Sequence, residues 1–322
     1  MNDPKKKHKS LLAGAKTIRA YPPLLITIVL FIGFSILFPD RFLTPMNLSS
    51  ILGQFVTIIL FALGPSMVVT TGSLDLSYIG VWMLGGILVW RFTPLLGMAA
   101  ILVIPLLGLV TGILVGLIQV KAKVPSFILT LSVSAGYAGL TSVLSEGYPR
   151  VVRGYEFLTA KLIPYVPTAL LWTMPLIIVA VFVMRSTKVG AYFYAIGSNE
   201  EGARLAGINI DRYKILAFTM SGLLTGVGSI IQFQHLGGSV PLTLNMNTLI
   251  QPLTAIVFGG TLLTGGSGGP DRTIIGTLAF AVLYRGLYIS LINPEILQLL
   301  IGLVLVLSIV IASRGLKGVT IT

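Results

Sequence analysis

Hydrophobic residues in this chain are gathered into long runs. They show neither the two-residue alternation of a half-buried strand nor the single apolar stripe of a surface helix. Ten runs fall near residues 24–38, 48–70, 78–90, 95–118, 124–144, 168–184, 213–236, 248–264, 273–290 and 294–312. Most approach the roughly 20 residues a helix needs to cross hydrocarbon, where every backbone group must be bonded internally. The pattern predicts an all-α fold, a polytopic transmembrane bundle of about ten spans. The run at 78–90 is short, and Pro65, Pro94, Pro105, Pro125, Pro252 and Pro294 stand in or beside apolar stretches. Each removes an amide donor, so broken or kinked helices are expected there. The organisation follows as a basic segment at 1–20, one membrane domain at 21–313 and a short tail at 314–322.

Composition sharpens the picture. Of 322 residues 55% are apolar and 10% charged, against about 25% charged in a soluble domain, and the mean hydropathy is +0.95. A soluble globule is excluded. The 36 glycines suit close helix packing in lipid. With no Cys, disulfides and thiolate metal sites are excluded, and with only His8 and His235 as imidazoles a bound metal is not expected.

The net charge of +12 matters through its placement. Lys5, Lys6, Lys7, Lys9, Lys16 and Arg19 precede the first run, which lacks a small-residue cleavage site, so the N-terminus is expected in the cytoplasm with no role in nucleic-acid binding. Ten spans return the C-terminus to the same side. Lys121, Lys123, Arg185, Lys188, Arg204, Arg212, Lys214, Arg272, Arg314 and Lys317 then also lie inside. Only Arg41, Arg91, Arg150, Arg153 and Lys161 lie outside, with Arg285 within the ninth run. The bias supports this orientation.

Three polar stretches interrupt the apolar pattern. In Thr71-Gly72-Ser73-Leu74-Asp75-Leu76-Ser77, Asp75 directly precedes an apolar run and is expected to cap a helix beginning near Leu76. The loop at 185–214 is predicted to carry a helix of about eight residues, near 12 Å long. Ser198 and Glu201 would form a capping box and Gly207 a left-handed C-cap. Such a helix gains little from its own propensity, so it is read as a docking helix for a cytoplasmic partner. The third stretch, from Phe258 to Arg272, is rich in glycine yet has no G-x-x-x-x-G-K-[ST], so it is read as a tight turn and not a phosphate cradle. The first and third stretches also share a weak likeness at Thr71-Gly72-Ser73 and Thr264-Gly265-Gly266, consistent with duplicated halves.

In this order and spacing the three stretches resemble the permease subunits of bacterial ATP-binding-cassette (ABC) importers of the ribose, simple-sugar type. The family's patterns resemble G-G-I-D-L-S-V-G, G-x-N-x-x-A-A-x-x-x-G-I, and G-G-T-S-L-x-G-G-x-G followed by G-T. Gly72, Asp75, Leu76 and Ser77 match the first; Gly197, Asn199, Ala203, Gly207 and Ile208 the second; Gly259, Gly260, Thr261, Gly265, Gly266, Gly268, Gly276 and Thr277 the third. Ser73, Tyr78, Ile79, Gly202 and Leu262 depart from it. The resemblance covers nearly the whole chain.

It implies a transport subunit and not an enzyme, located in the bacterial cytoplasmic membrane. Its partners would be a second permease, identical or related, a cytoplasmic ABC ATPase that alone holds ATP and Mg, and an exported solute-binding protein. The chain itself would bind no cofactor. The implied cargo is a monosaccharide such as ribose, with a nucleoside, a furanose signal molecule or a branched-chain amino acid as alternatives. Coupling would run through Ser198, Asn199, Glu200, Glu201, Ala203, Arg204, Leu205 and Gly207, with the charges orienting the contact and Ala203 and Leu205 buried in it. Substrate would pass beside Gln54, Thr57, Ser126, Thr130, Ser134, Gln251 and Thr254, with Phe55 or Tyr137 stacking on a sugar face. Gly72, Asp75, Ser77, Gly265, Gly266 and Gly268 are expected to be structural. Arg150 and Arg153 would face the binding protein. An ion-coupled transporter would instead need paired charges within its spans, and only Arg285 is clearly placed in one.

Overall fold

The computed structural model describes residues 22–158, 162–291 and 293–314. The N-terminal basic cluster, Lys161 and Lys317 lie outside them. Each apolar run lies mostly in helix. The chain proceeds through α1 (Pro22–Leu37), a single turn α2 (Pro39–Phe42), α3 (Pro45–Thr70), α4 (Tyr78–Leu96), α5 (Val103–Ala122) and α6 (Ser126–Leu144). It continues through α7 (Thr168–Ser186), α8 (Lys188–Ser198), α9 (Glu200–Leu205), α10 (Ile210–His235), α11 (Met246–Phe258), α12 (Pro270–Ile289) and α13 (Pro294–Arg314). Two short strands, β1 (Arg150–Val151) and β2 (Ser239–Val240), pair antiparallel and tie two loops together.

Among the described residues, six helical stretches are long and apolar enough to cross a membrane, with Tyr78–Ala122 counted as one. The latter would extend about 68 Å if straight, twice the hydrocarbon thickness. Instead it doubles back: Gly97 adopts a left-handed φ of 55°, a 3-10 segment Gly97–Leu102 follows, and α5 returns along α4. A Cβ built on Gly85 would lie 2.9 Å from Ile104. The exposed apolar faces of α1, α6 and α7, including Val29, Ile36, Val143 and Ile178, and the burial of α3 on nearly all sides describe an integral membrane protein with α3 at its centre.

The tightest crossing is α5 against α10. A Cβ on Gly108 would strike the Gly222 carbonyl, one on Gly112 the Phe218 carbonyl, and one on Gly222 the Gly108 carbonyl. Small residues here let two backbones touch, the means by which helices gain dispersion contacts where water supplies no driving force. Phe61, Phe193, Phe218 and Phe280 fill the remaining interior and are fully buried.

Several sequence expectations require correction. The helix over 78–90 extends to Leu96, and the helices continue through Pro65, Pro94 and Pro252, whereas Pro125 and Pro294 stand where a helix begins. A proline need not break a helix when the surrounding bundle holds the chain on both sides. The eighth apolar run stops at Phe258, six residues early, because Gly259 and Gly260 leave the helical path, the latter with φ of 80°.

Gly112→Val is expected to force α5 and α10 apart and lower the thermal unfolding midpoint of the detergent-solubilised protein by about 5 °C or more. Gly136→Ala, on α6 with nothing within 4 Å of the added carbon, should leave that midpoint unchanged.

Candidate functional site

The three glycine-containing stretches, far apart in sequence, meet at one end of the bundle. The Gly266 amide donates to the Thr70 carbonyl at 3.0 Å. A Cβ on Gly197 would overlap both Thr70 O and Gly266 N; one on Gly265 would lie 2.6 Å from Gly72 N and 2.9 Å from Gly197 Cα; one on Gly266 would lie 2.8 Å from Ser198 Cα. The glycines therefore form a knot in which three backbones touch with no side chain between them. The Tyr194 hydroxyl closes it by donating to Gly268 O at 2.7 Å. Burial, and next the Asp271 carboxylate, hold that hydroxyl above its ordinary titration range, so it remains a donor. The likeness between the first and third stretches is thus also a contact. The phosphate-cradle reading has no support here, since the Gly259, Gly260, Gly265, Gly266 and Gly269 amides donate to protein oxygens.

Asp75 lies beside the knot and is fully buried. Its Oδ1 accepts from Ser77 N at 2.9 Å and Ser77 Oγ at 2.6 Å, and its Oδ2 accepts from Ser221 Oγ on α10 at 2.6 Å. The expected capping role is corrected in position. The helix begins at Tyr78 and not near Leu76, and Asp75 closes the turn before it while bonding a second helix. Ser126 and Ser134 on α6 support the same turn: Ser126 Oγ accepts from Leu74 N at 2.8 Å, and Ser134 Oγ donates to Leu76 O at 2.6 Å. Gly72 is left-handed, with φ of 79°.

From the knot the chain leads directly into α9, which has six residues and not about eight. Its N-cap is Asn199, whose Oδ1 accepts from Gly202 N at 2.9 Å. The proposed Ser198–Glu201 capping box is incorrect because Ser198 still belongs to α8 and its hydroxyl donates back to Tyr194 O. At the other end Gly207, φ 83°, is the left-handed residue expected. Gly207 N donates to Arg204 O and Ile208 N to Ala203 O, both at 3.0 Å, the paired bonds that end a helix sharply. Ala203 faces inward against Ile196 and Ile210, so it does not supply an outward contact. Glu200 is engaged by Lys214 at 2.6 Å and by Arg204 at 3.6 Å, which staples α9 to the start of α10. Glu201 and Arg204 are exposed, and Leu205 is 85% exposed. Between α9 and the ends of α5 and α6 lies a cavity of about 600 Å³ that Gly72, Gln119, Lys123 and Arg204 help to line. Arg185 pairs with Asp271, joining the end of α7 to the start of α12.

The pathway candidates separate into two groups. Gln54, Thr57 and Gln251 lie together towards the opposite end of the bundle, with Gln54 Nε2 donating to Gln251 Oε1 at 3.1 Å. Gln54 and Thr57 line a cavity of about 1060 Å³ that also contains Gln234 and His235, which sequence reasoning had not selected. Ser126, Thr130, Ser134 and Tyr137 are elsewhere, on α6. Thr130 is buried and donates to Ser126 O, and the Tyr137 and Thr111 hydroxyls bond each other at 2.8 Å. Phe55 is buried in the apolar core, and Thr254 is buried with its hydroxyl on Ile250 O. At that same end Arg150 is held by Trp90, with its guanidinium 4.3 Å from the ring centroid, and by Glu146 at 3.6 Å; Arg153 is exposed.

Comparison with known proteins agrees with these features. Residues 47–309 match the model of the family described as branched-chain amino acid transport system / permease component. The chain is 31% identical over 304 residues to the ribose import permease protein of Escherichia coli K12, covering 90% of this chain and 92% of that protein. It is 31% identical over 302 residues to the ribose import permease protein of Bacillus subtilis, covering 90% and 91%. Identity is 27% over 312 residues to the fructose import permease protein of Rhizobium meliloti, covering 90% and 84%. No solved structure matches significantly. With its glycine knot, short capped helix and apolar bundle, the chain belongs to the family of permease components of branched-chain amino acid transport systems.

Proposed function

We propose that this chain is the permease subunit of an ATP-driven importer that carries a monosaccharide, ribose or a related sugar, across the bacterial cytoplasmic membrane. Ten long helices occur among the described residues; each is assigned to a membrane pass, with both termini in the cytoplasm. The knot and α9 then face inward. The charge bias supports this, since Lys121, Lys123, Arg185, Lys188, Arg204, Arg212, Lys214 and Arg272 all fall on or near that side. ATP and Mg belong to a separate ATPase, and the pathway is completed by a second permease. A solute-binding protein delivers the sugar to the opposite face, where Arg153 is exposed and Arg150 is braced by Trp90 and Glu146.

The observation that carries the coupling reading is the exposure of Leu205 on a helix held through Asn199, Glu200 and Ala203. Leucine on a six-residue helix, capped by Asn199, stapled through Glu200 and anchored by Ala203, is an apolar knob held ready for a groove. Burying it in a partner contributes about 1.5–3 kcal/mol. Glu201 and Arg204 flank it and set orientation. Because Gly197 packs on Thr70 and Gly266, displacement of α9 is transmitted to the α3–α4 turn and the α11–α12 turn without an intervening side chain. That is how a contact at the surface would move helices that line the pathway.

The direct test is sugar uptake into proteoliposomes containing the permease, its ATPase and the binding protein, with ion gradients collapsed. ATP-dependent uptake needing all components is expected; uptake by the permease alone, in a parallel assay with an imposed ion gradient and no ATP, would contradict it. In the same system Leu205→Asp should lower both uptake and stimulated ATPase activity by about tenfold or more, the equivalent of one lost apolar anchor. Unchanged ATPase stimulation would remove α9 as the contact. Gly266→Val should separate docking from transport: the ATPase still co-purifies with the permease, while uptake falls by at least about tenfold because the knot cannot close.

A further inference from the structure

Arg285 is a cation on a membrane helix without a carboxylate beside it. It stands four residues before the end of α12, about 6 Å along the axis. Its Nε and Nη2 donate to Asn47 Oδ1 at 3.4 and 3.2 Å, long bonds to a neutral acceptor. Its guanidinium carbon lies 4.9 Å from the centroid of the Tyr288 ring, a side chain 56% exposed. No ion pair among the described residues includes Arg285, and its Nη1 makes no hydrogen bond to a described residue. A cation at this depth is costly until an anion reaches it.

An apolar groove adjoins this charge. Leu278, Val282 and Arg285 follow the i, i+4, i+7 spacing of one helix face. Leu278 and Val282 line a groove of about 430 Å³ with Ile28 and Ile32 of α1 and Leu48 and Leu52 of α3. Leu48 directly follows Asn47, the partner of Arg285. The guanidinium therefore stands at one end of the groove, and aliphatic walls continue from it for two turns of α12, about 10 Å. The one polar residue in the lining is Thr27, and its hydroxyl has given its proton to Pro23 O at 2.8 Å. Ile28 and Ile32 are 39% and 52% exposed, so the groove opens on the side of α1 that meets lipid.

The two features select an amphiphile. A soluble anion would answer the charge and leave the groove bare, and a sugar would find no donor along these walls. A neighbouring protein would have to bring its own carboxylate into hydrocarbon, at a cost like that of Arg285 itself. A phospholipid brings its anion already placed at the head of a hydrocarbon chain, and an arginine can extend towards the interface to meet it. We propose that Arg285 and this groove form a binding site for an anionic phospholipid, with the phosphate on the Arg285 guanidinium and one acyl chain between α1, α3 and α12. The site lies outside the importer reading and takes from it only the assignment to the outer leaflet.

Native mass spectrometry of the full-length permease released from detergent tests it, with phosphatidylglycerol and phosphatidylcholine of identical acyl chains as probes. The wild type is expected to retain phosphatidylglycerol about tenfold more strongly, the worth of one charge-assisted hydrogen bond. Arg285→Gln should abolish that preference, whereas Arg153→Gln, at an exposed loop position, should leave it intact. Ile28→Trp fills the groove from the lipid side and should weaken both lipids alike; it supplies the reading should Arg285→Gln fail to fold. Glycerophosphoglycerol, the headgroup without its chains, should not compete. Equal retention of the two lipids by the wild type, a preference that survives Arg285→Gln, or retention unaltered in Ile28→Trp overturns the site. So does competition by the free headgroup, which would make the groove irrelevant. Disulfide-linked dimers of an Ile28→Cys variant in nanodiscs would give the groove to a second copy of the chain and overturn it too. None of these readouts involves uptake or ATP, so this proposal and the importer reading fail separately.

Discussion

Three backbones meet where no side chain could fit between them, and the functional end of the bundle is organised around that contact. Gly197, Gly265 and Gly266 bring the end of α8 and the α11–α12 turn against Thr70 and Gly72 at the end of α3. Two hydrogen bonds cross it, from Gly266 N to Thr70 O and from the Tyr194 hydroxyl to Gly268 O; the remainder is close packing. Side chains hop between rotamers and absorb small displacements, whereas touching backbones transmit them. A helix attached to such a contact cannot move without moving what it touches.

The two ends of the bundle are built differently for that reason. At the knot end, polar side chains are spent on holding turns: Asp75 on Ser77 and Ser221, Ser126 and Ser134 on the α3–α4 turn, Asn199 on α9, Lys214 on Glu200. Two buried oxygens there, Gln119 Oε1 and Asp271 Oδ1, are left without a partner. At the other end, Gln54, Gln234 and His235 surround open volume and one buried amide lacks a partner. Between the ends, α3 and α10 run the length of the bundle, and Ser221, bonded to Asp75 near the knot, shares its helix with Gln234 at the cavity.

Much of this was legible in the residues alone, because lipid imposes few alternatives: ten apolar runs became ten long helices, and Gly207 ended α9 as its type demands. What was illegible involved choices between neighbours or between distant partners. Ser198 and Asn199 both suit an N-cap, and only the continuation of α8 through Ser198 decides between them. Ala203 and Leu205 are both apolar on a short helix, and which faces inward depends on Ile196 and Ile210. Ser126 and Ser134 were grouped with Gln54 because a hydroxyl in an apolar run has the same signature whether it lines a path or supports a turn. At Pro65 and Pro252 the helix is not broken but continues past the proline. Gln234 and His235 carried one usable signal, two adjacent polar residues closing an apolar helix, but His235 had been weighed only as a metal ligand.

The central claim, that α9 and the two glycine turns move as one body, is most directly tested by distance measurement between spin labels. The chain contains no native Cys, so pairs can be introduced without background. With the permease assembled on its ATPase, one pair joins Glu201→Cys to Leu262→Cys across the knot, and a second joins Glu201→Cys to Met246→Cys at the far end of α11. On ATP binding the first distance should hold within about 1 Å, since packed backbones do not deform continuously, while the second changes by several ångströms. A first distance that shifts as much as the second would show that the knot opens, and would contradict the account.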